Sequence, residues 1–113
     1  MEKITPGNSG HYKWGMDCDG WHLLKNERLS VIQEKMPPGT FEQIHFHATA
    51  QQLFFILEGT ATFELNGSEV VVGPRESIHI PPGDVHKISN NSTCDLEFLV
   101  ISEPPSHGDR QNV

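Results

Sequence analysis

The sequence predicts an all-β fold in which antiparallel strands pack as a sandwich or a barrel. Short segments rich in Val, Ile, Leu and Phe recur along the chain, and Gly, Pro or Asn separates most of them. Many short strands at regular spacing with such turns are typical of antiparallel sandwiches and barrels. No stretch of a dozen residues shows a clean apolar repeat of 3.6 residues, which argues against a helical fold.

One hairpin is marked by alternation and by turn chemistry. Ala61, Phe63 and Leu65 alternate with polar residues, so they are predicted to share one face of a strand. Asn66 and Gly67 follow directly, and they supply the two positive φ angles that a two-residue type I′ turn requires. The segment after this turn is therefore predicted to return as the antiparallel partner.

The remaining strands are placed between Gly and Pro turns. Glu58–Gly59 is predicted to form a second hairpin turn, and Pro81–Gly83 is predicted to hinge two short strands. The predicted strands, in chain order, cover residues 29–36, 43–47, 52–57, 60–65, 68–72, 77–80, 85–88 and 94–101.

Chain length predicts one domain. The 113 residues allow a single core of two packed sheets and leave no room for a second unit. We expect a barrel core at about 22–102, an N-terminal arm over 1–21 and a C-terminal tail over 103–113. Trp14 and Trp21 are expected to anchor the arm onto the barrel.

Composition limits the partners and the compartment. With 8 Lys and Arg against 15 acidic residues, the net charge of −7 disfavours nucleic acid and anionic membrane surfaces as partners. No apolar run approaches the roughly 20 residues of a membrane span. The first residues lack the apolar core of a secretory signal, so we expect a cytoplasmic protein. Cys18 and Cys94 could pair, but we expect both to be reduced and buried.

Three histidines and one glutamine form the candidate metal site. His45 and His47 are two residues apart on a predicted strand, so both side chains point to one face. His86 follows the Pro81–Gly83 turn, and Gln52 opens the next strand after His47. Imidazole nitrogens with one oxygen ligand suit a divalent transition metal, namely Zn, Ni, Fe, Mn, Co or Cu.

The choice of the oxygen ligand has an alternative. A loop between His47 and Gln52 resets the strand parity, so Gln51 is a rival for the same position. The apolar residues that follow favour Gln52 facing inward, together with Phe54 and Ile56.

These residues fall into two spaced motifs that resemble the paired signature motifs of the cupin superfamily. The first family motif begins with a Gly, which is followed after five residues by His-x-His, then by an acidic residue and a final Gly. The second motif begins with a Gly and continues with Pro-x-Gly, a His and an Asn. The matching positions here are Gly39, His45, His47, Gln52 and Gly59 for the first motif, and Gly73, Pro81, Gly83, His86 and Asn90 for the second.

The resemblance implies a fold, a metal site and an assembly. The fold would be the cupin double-stranded β-helix, a jelly-roll barrel of antiparallel strands. The metal would lie near the barrel centre at His45, His47, Gln52 and His86. The family also implies a homodimer, which agrees with the need of small sheets to cover their edge strands. It does not imply a reaction, because one fold hosts many activities.

Gln52 replaces the usual glutamate of the first motif, and this departure shapes the functional hypothesis. Neutral ligands would leave the full +2 charge of a metal in place, which favours anionic oxygen ligands. We therefore expect a metal-dependent isomerase or lyase acting on a small anionic or sugar-like metabolite. The alternatives are an iron-dependent dioxygenase and a non-catalytic module that binds or senses a small molecule.

Other polar residues are secondary candidates. His79 flanks the second motif and is expected to be exposed or at an interface, while Arg110 is expected to be a solvated tail residue. Asp95 or Glu97 on the last predicted strand is a candidate inward-facing acid or base. The remaining histidines are expected to face solvent or to pack against other side chains; these are His11, His22 and His107. The aromatic residues near the start are expected in the core or in a dimer contact, and the alternative is that they close one mouth of the barrel; these are Tyr12, Trp14 and Trp21.

Overall fold

The computed structural model of the protein describes residues 1–113, and it contains β-strands and no helix. All strand pairs are antiparallel. The strands are β1 Gly10–Trp14, β2 Cys18–Lys25, β3 Ser30–Met36, β4 His45–His47, β5 Gln51–Glu58, β6 Ala61–Leu65, β7 Ser68–Val72, β8 Ser77–Ile80, β9 His86–Ser89, β10 Leu96–Glu103 and β11 Arg110–Asn112. The predicted all-β class is confirmed.

Two sheets pack face to face around one apolar core. The six-stranded sheet has the order β1-β2-β3-β10-β5-β8, and the five-stranded sheet has the order β11-β4-β9-β6-β7. Phe54 and Phe98 of the first sheet and Phe63 of the second sheet belong to the same buried cluster, with Phe54 and Phe63 ring centroids 5.0 Å apart. This arrangement is the jelly-roll barrel that the resemblance to cupins implies.

The predicted hairpin between β6 and β7 is confirmed. Leu65 pairs with Ser68 across the turn, and Asn66 and Gly67 have φ angles of 47° and 86°. Phe63 is fully buried beneath this hairpin, as its alternation with polar neighbours predicts.

The turn at Glu58–Gly59 differs from its prediction. It joins β5 to β6, which belong to different sheets, so it is a crossover between sheets and not a hairpin turn. Gly59 has φ +85°, and a Cβ at this position would lie 2.5 Å from the Asp95 carbonyl oxygen. The chain therefore changes sheets at a point where only glycine fits without strain.

Both ends of the chain contain strands. Strand β1 and the first part of β2 lie within residues 1–21, where we expected an arm, and β1 pairs with β2 at the edge of the larger sheet. Strand β11 lies within 103–113, where we expected a tail, and it pairs with β4. Both segments are too polar to show a strand pattern, because each of them has most of its side chains outside the core.

Cys18 and Cys94 are both free, as expected. Cys18 is buried in the core, but Cys94 is exposed, so the expectation that both are buried is wrong for Cys94. No helix in this structure has the length and apolar character to cross a membrane.

Gly59→Ala is predicted to destabilise the protein more than Gly67→Ala. Both glycines have φ near +85°, so an alanine pays the left-handed backbone cost of about 1–2 kcal/mol at either site. At Gly67 nothing lies within 4 Å of the added methyl group, whereas at Gly59 the methyl group also meets backbone atoms. Urea denaturation of the two variants measures the difference, and equal free energies of unfolding would contradict the crossover contact.

Candidate metal centre

The register between β4 and β9 brings the three histidines of the two motifs together. His45 pairs directly with His86 across the two strands, and their ring centroids are 4.4 Å apart. His47 lies two residues further along β4 on the same face, with its ring 4.9 Å from that of His45. One nitrogen of each ring lies within 4.8 Å of the others, and all three side chains are buried.

Backbone carbonyls fix the orientation of two of these rings. His45 donates from Nδ1 to the Gln43 carbonyl oxygen at 2.8 Å, and His86 donates from Nδ1 to the Asp84 carbonyl oxygen at 2.8 Å. In a neutral ring the proton then lies on Nδ1, which leaves Nε2 as an acceptor. His86 Nε2 and His47 Nδ1 are buried and have no hydrogen-bond partner.

Gln52 belongs to the opposite sheet. It lies on β5, it is only 6% exposed, and its Nε2 donates to Ser102 Oγ at 3.0 Å. Ser102 is its direct cross-strand neighbour on β10. Because this bond fixes the amide, Gln52 Oε1 is left buried without a partner.

The rival residue, Gln51, faces the other way. It is exposed, it donates to Glu103 Oε1 at 3.1 Å, and its Oε1 lies 3.0 Å from His79 Nε2. Gln52 is buried along with Phe54 and Ile56, so it faces inward as the sequence predicts.

Burial keeps the three imidazoles neutral. Desolvation lowers the pKa of His45 to about 3 and the pKa of His47 to about 4. Desolvation also lowers the pKa of His86. A neutral imidazole has a free lone pair, and it is this form that binds a metal.

The donor set fits a divalent transition metal. Buried polar atoms almost always find a hydrogen-bond partner, so orphaned atoms need an explanation. Here His47 Nδ1, Gln52 Oε1 and His86 Nε2 are orphaned together. A cation that accepts imidazole nitrogens and an oxygen would satisfy them, and no carboxylate belongs to the cluster.

A cavity of about 260 Å³ is lined by His45, His47 and Gln52, but not by His86. It has room for a small molecule, because a single water needs only about 10–15 Å³ of such volume. Both sheets and the C-terminal segment contribute to its lining, which is mostly polar. The lining residues are Tyr12, Ile32, Glu34, Glu42, His45, His47, Gln52, Phe54, Val100, Ser102, Ser106, His107, Gly108 and Arg110.

Two carboxyl groups in the cavity are held partly out of water. Burial raises the pKa of Glu34 to about 7 and the pKa of Glu42 to about 8. Glu42 accepts a hydrogen bond from the Ile88 amide at 3.1 Å and lies 4.0 Å from the Arg110 guanidinium. The cavity therefore combines a cationic side chain with two carboxyl groups whose charge changes near neutral pH.

The C-terminal segment closes part of the cavity. The Asp109 carboxylate accepts three backbone hydrogen bonds, from Ala48, Thr49 and Ala50, at 3.2, 3.0 and 2.8 Å. These bonds lower the pKa of Asp109 and tie the segment to the loop between β4 and β5. Arg110 pairs with His47 in the ladder between β11 and β4, which places it at the cavity.

Several expectations for secondary residues need correction. Arg110 and His107 are exposed, as the sequence predicts, but both also line the cavity, which the sequence does not predict. Asp95 is exposed, with Lys35 Nζ 3.5 Å from it, and Glu97 lies on the outward face of β10, so neither is an inward acid.

Other expectations agree with the structure. His79 is exposed and lies outside the cavity. His11 is bonded to Asp19 on the surface. Of the aromatic residues near the start, Tyr12 lines the cavity and Trp14 packs against the core.

Glu34 and Glu42 are not among the candidate residues that the sequence predicts. The signal for Glu34 was present, because Ser30, Ile32 and Met36 share its parity on β3 and point inward. Glu42 lies outside any strand, in the segment before β4, where alternation gives no prediction.

Glu34→Gln is predicted to flatten the pH dependence of stability. The folded pKa of Glu34 is about 7, above the unfolded value near 4.5. The folded state therefore keeps a proton that the unfolded state loses. The stabilisation that protonated Glu34 provides is complete below pH 4.5 and is lost as the pH rises through 7. The free energy of unfolding falls by at most roughly 3 kcal/mol over this range. Denaturation of the metal-free proteins from pH 4.5 to 8 measures it, and parallel stability curves for the variant and the wild type would contradict it.

Comparison with known proteins places these features in a family. The cupin domain family matches residues 32–102, which is more than half of the chain. An uncharacterized protein from Methanocaldococcus jannaschii is 32% identical over 91 residues, which cover 80% of this chain and 73% of that protein. The oxalate-binding protein of Thermotoga maritima is 29% identical over 105 residues, which cover 88% of this chain and 87% of the relative.

The fold has solved counterparts. The crystal structure of a predicted oxalate decarboxylase from Thermotoga maritima superposes with a TM-score of 0.82 at 24% identity, covering 90% of this chain and 98% of that one. This structural similarity supports the fold alone, whereas the sequence matches support membership of a family. Together with the two motifs and the two-sheet barrel, they show that the chain belongs to the cupin family.

Proposed function

We propose that the protein binds one divalent transition metal through His45, His47, His86 and Gln52. The observation that carries this proposal is the cluster of three buried imidazoles, each with one nitrogen within 4.8 Å of the others. Their ring centroids form a triangle with sides of 4.4, 4.9 and 5.8 Å. Buried polar atoms of His47, Gln52 and His86 also lack a hydrogen-bond partner. Zn, Ni, Fe, Mn, Co and Cu all accept such a ligand set.

The metal-loaded cavity is proposed to act on a small anionic or sugar-like metabolite as an isomerase or lyase. A bound metal would supply Lewis-acid polarisation of a carbonyl or carboxylate oxygen. The Arg110 guanidinium, which lies at the cavity, would hold an anionic group of the ligand. The C-terminal segment that Asp109 ties down would limit the access of water.

A second candidate is a protein that binds a small acid without converting it. The oxalate-binding protein of Thermotoga maritima matches nearly the whole chain, and its name describes binding. The dioxygenase alternative has less support, because an amide replaces the carboxylate of the two-His-one-carboxylate iron site.

A metabolite panel separates these candidates. Zinc-loaded and nickel-loaded protein would be incubated with hydroxy acids, keto acids and sugar acids, and followed by proton NMR. The enzyme proposal expects turnover that chelation abolishes. Saturable binding of a member of the panel with no turnover would favour the binding protein instead.

We also propose a cytoplasmic homodimer. Support for a self-contact comes from β7, an edge strand with Val70 and Val71 exposed at 40% and 60%. Exposed apolar side chains on an edge strand favour pairing with another chain. Sedimentation of the purified protein tests the dimer.

His47→Ala and His86→Ala are each predicted to reduce bound metal strongly. Each removes one of the proposed protein ligands, and the loss of a ligand leaves the remaining ones unable to retain the ion through gel filtration. Elemental analysis after loading and desalting measures the metal content. His79→Ala is the matched control, because this histidine is exposed and outside the cavity. Unchanged stoichiometry in both ligand variants would overturn the site.

Gln52→Glu is predicted to retain metal and to bind acetate about tenfold more weakly or worse. The new carboxylate cancels one charge of the ion and repels an anion beside it, and tenfold corresponds to only about 1.4 kcal/mol. Calorimetry with acetate on zinc-loaded protein gives the affinity. Gln51→Glu serves as control, since that residue is exposed. Tighter acetate binding by the Gln52 variant would contradict the charge argument.

A further inference from the structure

Three residues form one row across the first three strands of the larger sheet. Tyr12 on β1 is paired with Gly20 on β2, and Gly20 is paired with Glu34 on β3. Neighbouring strands are ~4.8 Å apart, so the outer two residues lie roughly 10 Å apart at the backbone. Only a long side chain that crosses the middle strand can join them.

Gly20 makes this crossing possible. A Cβ at Gly20 would lie 2.2 Å from Tyr12 Cζ and 2.5 Å from the Tyr12 hydroxyl oxygen. The Tyr12 ring therefore lies directly over the bare backbone of the middle strand. From there the Tyr12 hydroxyl donates to Glu34 Oε2 at 2.8 Å.

The pair keeps hydrogen-bonding capacity for a ligand. Both residues line the cavity. Glu34 Oε1 has no hydrogen-bond partner in the protein, and the Tyr12 oxygen can still accept a bond after donating its proton. Tyr12 thus fixes one oxygen of the carboxyl group and leaves the other free to face a ligand.

We infer that Tyr12 and Glu34 form a hydroxyl-binding subsite, so that the cavity takes a polyhydroxy acid with its carboxylate toward the cation. This inference rests on the proposed metal site and adds the class of ligand. Free acceptor atoms on the carboxyl group and the phenol match the donors of neighbouring hydroxyl groups on one ligand.

The charges in the cavity favour hydroxyl groups over a second anionic group. Glu34 and Glu42 both line the cavity, and when ionised they repel an additional carboxylate or phosphate. Of the 14 lining residues only 4 are hydrophobic, so an alkyl chain also finds little apolar surface. A ligand with one carboxylate and several hydroxyl groups satisfies both conditions.

The test compares two probes of equal length and charge on zinc-loaded protein. D-gluconate and hexanoate are both six-carbon monocarboxylates, and they differ in their hydroxyl groups. We expect wild-type protein to bind gluconate more tightly in calorimetry. Glu34→Ala should weaken gluconate binding about tenfold or more, as expected for a lost hydrogen bond to a charged group. Hexanoate affinity should not fall, because this ligand makes no such bond and the variant removes only a carboxyl group that repels anions when it is ionised.

Two further variants guard against a folding artefact. Tyr12→Phe keeps the carboxyl group and the ring, and it should weaken gluconate binding severalfold while leaving hexanoate unchanged. Glu97→Ala removes a carboxyl group from the outward face of the same sheet, and it should change neither affinity. Zinc content and thermal melting of each variant confirm that the barrel is intact.

The outcomes separate this inference from the proposed function. Zinc uptake and hexanoate binding report on the metal site alone. An intact zinc site that binds gluconate no more tightly than hexanoate would overturn the subsite. The same conclusion would follow if Glu34→Ala weakened both probes equally, or if neither Glu34→Ala nor Tyr12→Phe changed gluconate affinity.

Discussion

The direct pairing of His45 with His86 is the constraint on which the candidate site depends. Strand β9 lies between β4 and β6, and His86 is opposite His45 on one side and Leu65 on the other. In a sheet, a slip of one residue moves every side chain to the opposite face. The pairing of β9 with β6 therefore sets which face His86 takes, and the pairing of β9 with β4 places it opposite His45, which is far away in the sequence.

The packing of two sheets supplies the rest of the site. The imidazoles come from the smaller sheet and Gln52 comes from the larger one, so the proposed ligand set requires both sheets. Closure also removes water from the rings, which lowers the pKa of His45 to about 3 and keeps it neutral. The same burial that stabilises the barrel thus prepares nitrogen lone pairs for a cation.

Local pattern was sufficient to predict part of this arrangement from the sequence. Alternation predicted the buried face of β6 and the inward direction of Gln52, and the turn residues predicted the hairpin at Asn66. The crossover at Gly59 was mistaken for a hairpin because a glycine turn does not reveal which sheet the next strand joins. Arg110 could not be placed because its position depends on the pairing of β11 with β4, which is separated from it by most of the chain.

The most direct test of the central claim is a crystal structure of metal-loaded protein with an anomalous difference map recorded at the metal edge. The account predicts one strong peak, with imidazole nitrogens of His45, His47 and His86 at about 2.0–2.1 Å and the Gln52 amide oxygen at a similar distance, roughly 2.0–2.2 Å. A map without a peak among these rings, or a cation held by other side chains, would contradict it.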